Sequence, residues 1–400
     1  MTARRVRTSA GVTVVELMVA MAVTLVLSGA VFGVVNALQG LAASQPEVNA
    51  MQQGLRTTLH LLANELVNAG AGLDRTTLAG PLVQVLPPVV PYRRGQVGDD
   101  GRAGVTFRSD VLSLVYVAGA AAQAPVLGAM DDGARLTVDL GPNCGALAPT
   151  SVCGFVRGMR ALVVDPTGAH DFVTVEDVAG SRVRLAYRGA LASPYTDGRA
   201  VLAHAAVHSY ALRTDPAAGT PQLAHYDGFV TELAAVDHVA ALSFEYFGEP
   251  EPPRLRAAVR PAESPRPWTT YGPAPPPIGV DDAATSWGPG ENCVFAVAQG
   301  AHVPRLASLG PPVGFVPLPG AVFGDGPWCP DERAPRRYDA DLLRIRRVRI
   351  RVRVEAAARA MRGPVGQLFL RAGAGSFGVI QAPDQTAVLD ITPRSLSAGR

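Results

Sequence analysis

The sequence predicts an α+β protein: one long N-terminal helix, its first half apolar enough to sit in lipid, packed on an antiparallel β-sheet head with a Pro/Gly-rich insertion. Three observations carry this. An apolar run reaches from Leu17 to Val35 behind a leader containing Arg4, Arg5 and Arg7. A second stretch, Val48 to Leu66, has apolar residues at steps of three and four. Beyond it lie short β-branched runs bounded by Gly, Asp, Pro or Asn, the pattern of strands and turns.

The elements follow in chain order. From Val12 to Val35 the run is 24 residues, interrupted by Thr13, Glu16, Thr24, Ser28, Gly29 and Gly33. At about 1.5 Å per residue it spans about 36 Å, enough for a bilayer. A secretory peptide is shorter, with an apolar core of about 7–15 residues and a small-residue cleavage site. The arginines keep the N-terminus in the cytoplasm and send the remainder outward. Residues 36–72 form the amphipathic half, with Val48, Met51, Leu55, Leu59, Leu62 and Leu66 on one face and Gln52, Gln53, Arg56, Asn64 and Glu65 on the others. Gly40 and Pro46 predict a kink or break, and Asn68-Ala69-Gly70-Ala71-Gly72 the stop.

Residues 73–248 read as the β-rich head, an antiparallel meander. Val111–Val117, Ala161–Val164, Phe172–Val175, Arg182–Tyr187, Val207–Leu212 and Leu242–Phe247 are its strands, and Leu233–Val239 a short helix before the last. Residues 249–335 change character: Glu249-Pro250-Glu251-Pro252-Pro253 opens a stretch too rich in Pro and Gly for a regular sheet. Trp268, Trp287, Trp328 and two cysteines pin part of this insertion down. Residues 336–400 return to strands and close the head.

Composition narrows the chemistry. All 36 Lys+Arg residues are arginine, which excludes lysine crosslinks, Schiff bases and a Walker-type phosphate loop. The formal net charge of +2 gives no general preference for nucleic acid. Locally, Arg347, Arg349, Arg351 and Arg353 alternate with Val348, Ile350, Val352 and Val354, a half-buried strand with four guanidinium groups on one face. That row is a candidate anion or DNA contact; the alternative is a solvated face that protects a sheet edge. No aromatic residue interleaves with it to stack bases.

Four cysteines, Cys144, Cys153, Cys293 and Cys329, lie beyond the apolar run. In an exported chain they read as two disulfides. Sequential pairing, Cys144–Cys153 and Cys293–Cys329, is preferred among three connectivities. Neither a Cys-x-x-Cys nor a nearby histidine suggests zinc. The seven histidines, His60, His170, His204, His208, His225, His238 and His302, make no H-E-x-x-H, and there is no G-x-S-x-G. Gly373-Ala374-Gly375-Ser376-Phe377-Gly378 matches a dinucleotide fingerprint and follows an expected strand, Gln367–Leu370. No helix follows it, so it reads as a turn. Asp99-Asp100 and Asp131-Asp132 lack calcium-loop spacing. The expectation is a protein that is not an enzyme and needs no cofactor or metal.

The N-terminus carries the sharpest signal. Glu16 stands at the mouth of the apolar run, where a charge is expensive and usually has a partner and a role. Gly11-Val12-Thr13-Val14-Val15-Glu16, with Leu17, Met18, Val19, Ala20 and Met21 behind it, resembles the leader of type IV prepilins and pseudopilins. Val12 stands where phenylalanine is commoner, and Val14-Val15 replaces a Leu-Ile type pair. The resemblance implies cleavage after Gly11 by a prepilin peptidase, with Val12 the N-methylated new N-terminus. It implies that Glu16 meets the freed amine of a neighbouring subunit. The alternative is an ordinary signal anchor in which Glu16 is incidental.

Downstream, Ser109-Asp110-Val111-Leu112-Ser113-Leu114-Val115-Tyr116 resembles the first head strand of PilW-like minor pilins. Pro221–Gly228 with Leu233–Val239 and Phe244–Tyr246 is similar to their strand–helix–strand block, and Arg347–Val354 with Ala387–Arg394 to their closing strands. The family implies a single-pass protein of the bacterial inner membrane, its head in the periplasm or at the cell surface. It implies incorporation near the tip of a type IV pilus, with other major and minor pilins, the lipid bilayer and the inner-membrane assembly platform as partners. The same leader serves J-type pseudopilins of type II secretion. An anchored surface or DNA-binding module that never polymerises is the reading from a different class.

Overall fold

A computed structural model describes residues 11–73, 85–92, 107–117, 122–127, 135–139, 146–148, 151–165, 168–179, 182–186, 191, 193–195, 200–228, 231–253, 274–281, 287–292, 294–323, 340–375 and 380–397. Helix α1 covers Val14–Asn68. Then come β1 (Val89–Val90), β2 (Val111–Tyr116), β3 (Gln123–Pro125), β4 (Arg135–Asp139), β5 (Ala146–Ala148) and β6 (Ser151–Val152). They are followed by β7 (Arg160–Val164), β8 (His170–Ala179), β9 (Arg182–Ala186), β10 (Val201–His204), β11 (Ala206–Thr214), β12 (Pro221–Tyr226), β13 (Glu232–Asp237) and β14 (Val239–Gly248). The last elements are β15 (Phe295–Ala298), β16 (Ala301–Pro304), β17 (Val316–Leu318), β18 (Ile345–Val354), β19 (Gln385–Ile391) and the short α2 (Arg394–Ser397). The α+β class is as the sequence predicts, with mostly antiparallel strands.

Two compact units divide the chain: residues 1–53 with 355–385, and residues 54–354 with 386–400. Helix α1 starts in one and ends in the other. Of the kink or break expected near Gly40 and Pro46, a break does not occur: α1 is continuous through both. A proline removes one rung of the helix ladder, and the rungs of the flanking turns persist. The stop falls where expected. Gly70 and Gly72 have φ of 76° and 71°, and a Cβ on Gly72 would lie 2.7 Å from the Val117 Cβ. The Gly70 amide donates to the Val115 carbonyl at 2.8 Å, tying the helix end to β2.

In the first unit, the described residues of 355–385 are largely irregular. Glu47 of α1 accepts the Ala358 amide at 2.7 Å. Glu355, 1% exposed, is paired with Arg362 and Arg371, each at 3.0 Å. The Arg362 guanidinium also donates to the Ala356 and Ala357 carbonyls, at 2.6 and 3.1 Å. The strand expected at Gln367–Leu370 is absent: Gly366 donates to the Phe369 carbonyl at 2.8 Å, a local turn built around the buried Phe369 ring.

The second unit holds three larger sheets rather than one meander. The five-stranded sheet has the order β1-β2-β11-β12-β13, the six-stranded sheet β3-β10-β7-β8-β9-β4, and the four-stranded sheet β17-β14-β18-β19. The six-stranded sheet comes entirely from the chain between β2 and β11, which are themselves antiparallel neighbours with Ala206 opposite Tyr116. It has its own core, including Phe155, Val163, Val173, Val175, Val183, Leu185, Tyr195 and Leu202. Residues 117–205 are therefore an insertion that folds around side chains of its own.

The short helix expected at Leu233–Val239 is β13 instead. Alanines favour a helix locally, but β12 presents an open ladder, and its pairing satisfies the β13 backbone. His238, at φ 61°, then turns the chain into β14. The 249–335 stretch also holds more regular structure than its composition predicts. β15 and β16 form a hairpin, and β17 pairs with β14 through Tyr246 opposite Leu318. Arg344, 1% exposed, fastens this region: it pairs with Asp341 and donates to the Pro250 and Ala307 carbonyls, both at 2.6 Å.

Candidate functional site

The helix start is built locally. Thr13 precedes the first helical residue, and Glu16 stands three positions on. The Glu16 carboxylate accepts both the Thr13 amide and the Thr13 hydroxyl at 3.0 Å, and the Thr13 hydroxyl accepts the Glu16 amide at 3.3 Å. This is a capping box: each side chain satisfies the other residue's orphan backbone donor. Thr-x-x-Glu is legible in the sequence, yet it is hidden there by the prominence of the apolar run.

Behind the box, Val14–Val35 is long and apolar enough to cross a membrane, and among the described residues nothing buries it. Leu25 is 74% exposed. A Cβ built on Gly11, Gly29 or Gly33 meets nothing within 4 Å. Among the described residues nothing therefore requires glycine at those positions. Residues 1–10, with Arg4, Arg5 and Arg7, lie outside the described residues.

The second half of α1 carries the opposite environment. Thr58, Leu62 and Leu66 are fully buried. Beside them Glu65 reaches the five-stranded sheet, accepting His208 Nδ1–H at 2.9 Å and the Tyr116 hydroxyl at 3.3 Å. The His208 ring meets His225 edge-on at 4.8 Å, and His225 stacks on Tyr210 at 4.9 Å. Burial, then the Glu65 charge and the hydrogen bond to it, push the Tyr116 hydroxyl up to about 12. Burial, with Glu65 and Tyr116 adding to it, raises Tyr210 further. The sequence hints at this cluster only through His208 and Tyr210, two apart and so on one face of β11.

The arginine row alternates as predicted, but β18 lies between β14 and β19, so it is not an edge strand. Arg349 binds Asp390 through two hydrogen bonds, at 2.7 and 3.0 Å, and lies 3.6 Å from Glu245. Arg351 lies 3.7 Å from Glu245. Arg347 and Arg349 stack over Phe247, at 4.5 and 5.0 Å. The row is thus largely balanced by acceptors of its own sheet. The Arg349 hydrogen bond holds the Asp390 carboxyl below its ordinary value.

Cys153 is disulfide-bonded. Cys144, Cys293 and Cys329 lie outside the described residues, and the expected pairing with them; so do Asp99-Asp100, Asp131-Asp132, Trp268 and Trp328. Trp287 supports the Arg305 guanidinium at 4.5 Å. Among the described residues, no group of three His, Cys, Asp or Glu is arranged to hold a metal. No family model, curated protein or solved structure matches the chain.

Proposed function

We propose that this protein is a PilW-like minor pilin, made as a prepilin and built into a type IV pilus near its tip. One observation carries the reading: the Glu16 carboxylate, five residues after Gly11 and held by the capping Thr13, stands at the mouth of an apolar helix that the other described residues leave uncovered. Such a helix needs apolar surroundings, first the bilayer and then the helices of neighbouring subunits. The open positions at Gly29 and Gly33 suit close helix approach. Cleavage after Gly11 frees the Val12 amine, and Glu16 of an incoming subunit pairs with the amine of its neighbour, because either charge left alone in lipid is expensive. The heads then face outward. The role is structural, and no catalytic step is assigned.

Intact mass and N-terminal sequencing of membrane-extracted protein test this. The expected chain begins at methylated Val12, and one retaining Met1–Gly11 overturns the reading. Glu16→Ala should be cleaved normally yet lost from sheared filaments, whereas Gly11→Leu should block cleavage. Recovery in sheared surface pili separates a pilus role from that of a type II secretion pseudopilin.

A further inference from the structure

We propose that Glu65, His208 and His225 form an acid-sensitive catch, which holds residues 54–68 of α1 on the five-stranded sheet at neutral pH and loosens them when His225 takes a proton. The inference is independent of the N-terminal reading. It rests on where the groups lie. Glu65 already accepts two hydrogen bonds from the sheet, one from His208 and one from Tyr116. His225 sits one strand further, wedged between His208 and Tyr210. Its Nε2 is buried and has no hydrogen-bond partner. A positive charge placed there lies against the His208 ring, at 4.8 Å between ring centres, while the Glu65 carboxylate is already engaged.

The neighbouring elements offer little relief. From α1 the facing charge is Glu65; from β2 it is the Tyr116 hydroxyl; from β11, His208 and Tyr210. β13 sets Leu233 opposite His225, and its Glu232 is drawn to Arg213 at 3.0 Å. β14 contributes Tyr246, which donates to the Val111 carbonyl, and Glu245, which faces Arg349 and Arg351. Asp227, just beyond β12, pulls the other way but accepts the Thr231 amide at 3.0 Å.

Burial and then His208 hold the His225 imidazole below its ordinary value of 6.5, outweighing Glu65 and Asp227. The unfolded chain accepts this proton at about pH 6.5 and the folded chain only at lower pH. Stability from this group is thus level above about 6.5, and falls as pH drops from there through the folded value. One proton changes the opening equilibrium by at most about tenfold per pH unit.

Hydrogen exchange of the full-length protein in nanodiscs, corrected for intrinsic rates, tests the catch between pH 7.5 and 5. Exchange in residues 58–68 and 206–226 should rise by up to about tenfold per unit below pH 6.5, with β18 as internal reference. His225→Phe keeps the stack on Tyr210 without a titrating nitrogen and should abolish the rise. A wild-type profile that is flat, or a rise that survives in His225→Phe, overturns the proposal. If that variant does not fold, histidine-selective NMR of the wild type decides. The His225 ring should remain neutral at a pH where a histidine peptide in the same buffer is charged, and titration together with the peptide counts against the catch.

Discussion

The two halves of α1 have the same backbone and opposite surroundings. In Val14–Val35 the apolar side chains face outward on every side, and the one carboxylate, Glu16, is satisfied by the residue that caps its own helix. In residues 54–68 the apolar side chains Leu62 and Leu66 are buried, and the one carboxylate, Glu65, is satisfied by two strands of the sheet. The first half is self-contained in its hydrogen bonding and incomplete in its packing. The second is complete in its packing and depends on distant residues for its hydrogen bonds.

That contrast can be broken by substitution. The largest expected effect is Leu66→Ala, which empties a fully buried position and should destabilise the protein by about 2–5 kcal/mol. Leu25→Ala, in the exposed half, should leave the melting temperature unchanged; equal losses at the two sites would erase the distinction. Glu65→Ala comes next. It leaves the Tyr116 hydroxyl and His208 without their acceptor, for a loss of about 1–3 kcal/mol by chemical denaturation. Double-mutant cycles with His208→Gln should show coupling at Glu65 and none at Glu16.

The smallest effect belongs to Asp390→Asn, a reference for an exposed pair. Its carboxyl is held low by Arg349, so its contribution is present above the usual carboxylate range and disappears as pH falls through the folded value. Being exposed, the pair is screened by solvent and salt. The variant should change the melting temperature near the limit of detection at neutral pH, and not at all once the pH is below the folded value. A large loss would mean that the arginine row is a structural anchor.

What the sequence made legible follows the same division. The apolar run, the Thr13–Glu16 spacing, the Gly70 and Gly72 stop and the alternation in Arg347–Val354 are local patterns, readable without knowing what folds against what. The partners of Glu65 are not. They require β2, β11 and β12 to be in register, with Tyr210 opposite His225 and His208 opposite Leu114. The conversion of Leu233–Val239 from expected helix to β13 has the same origin: the ladder of β12 decides it, and that ladder is remote in sequence only by a turn, yet invisible to local propensity. Within 117–205 the pattern marks β7, β8 and β9 but not β3, β4 or β10, nor the separation into a second sheet, because strand patterning reports burial and not which core is being filled.

The placement of that second sheet has a consequence for how the molecule can vary. Tyr116 and Ala206 are cross-strand partners, so residues 117–205 leave and rejoin the head at adjacent points. Neighbouring strands lie about 5 Å apart, a gap that a tight turn can bridge. The five-stranded frame thus has a socket: whatever occupies it must match the spacing of its two ends and replace a few contacts, such as the Arg160 hydrogen bond to the Gly228 carbonyl. Its cargo can be exchanged, shortened or replaced by a reporter while the frame that meets α1 keeps its register.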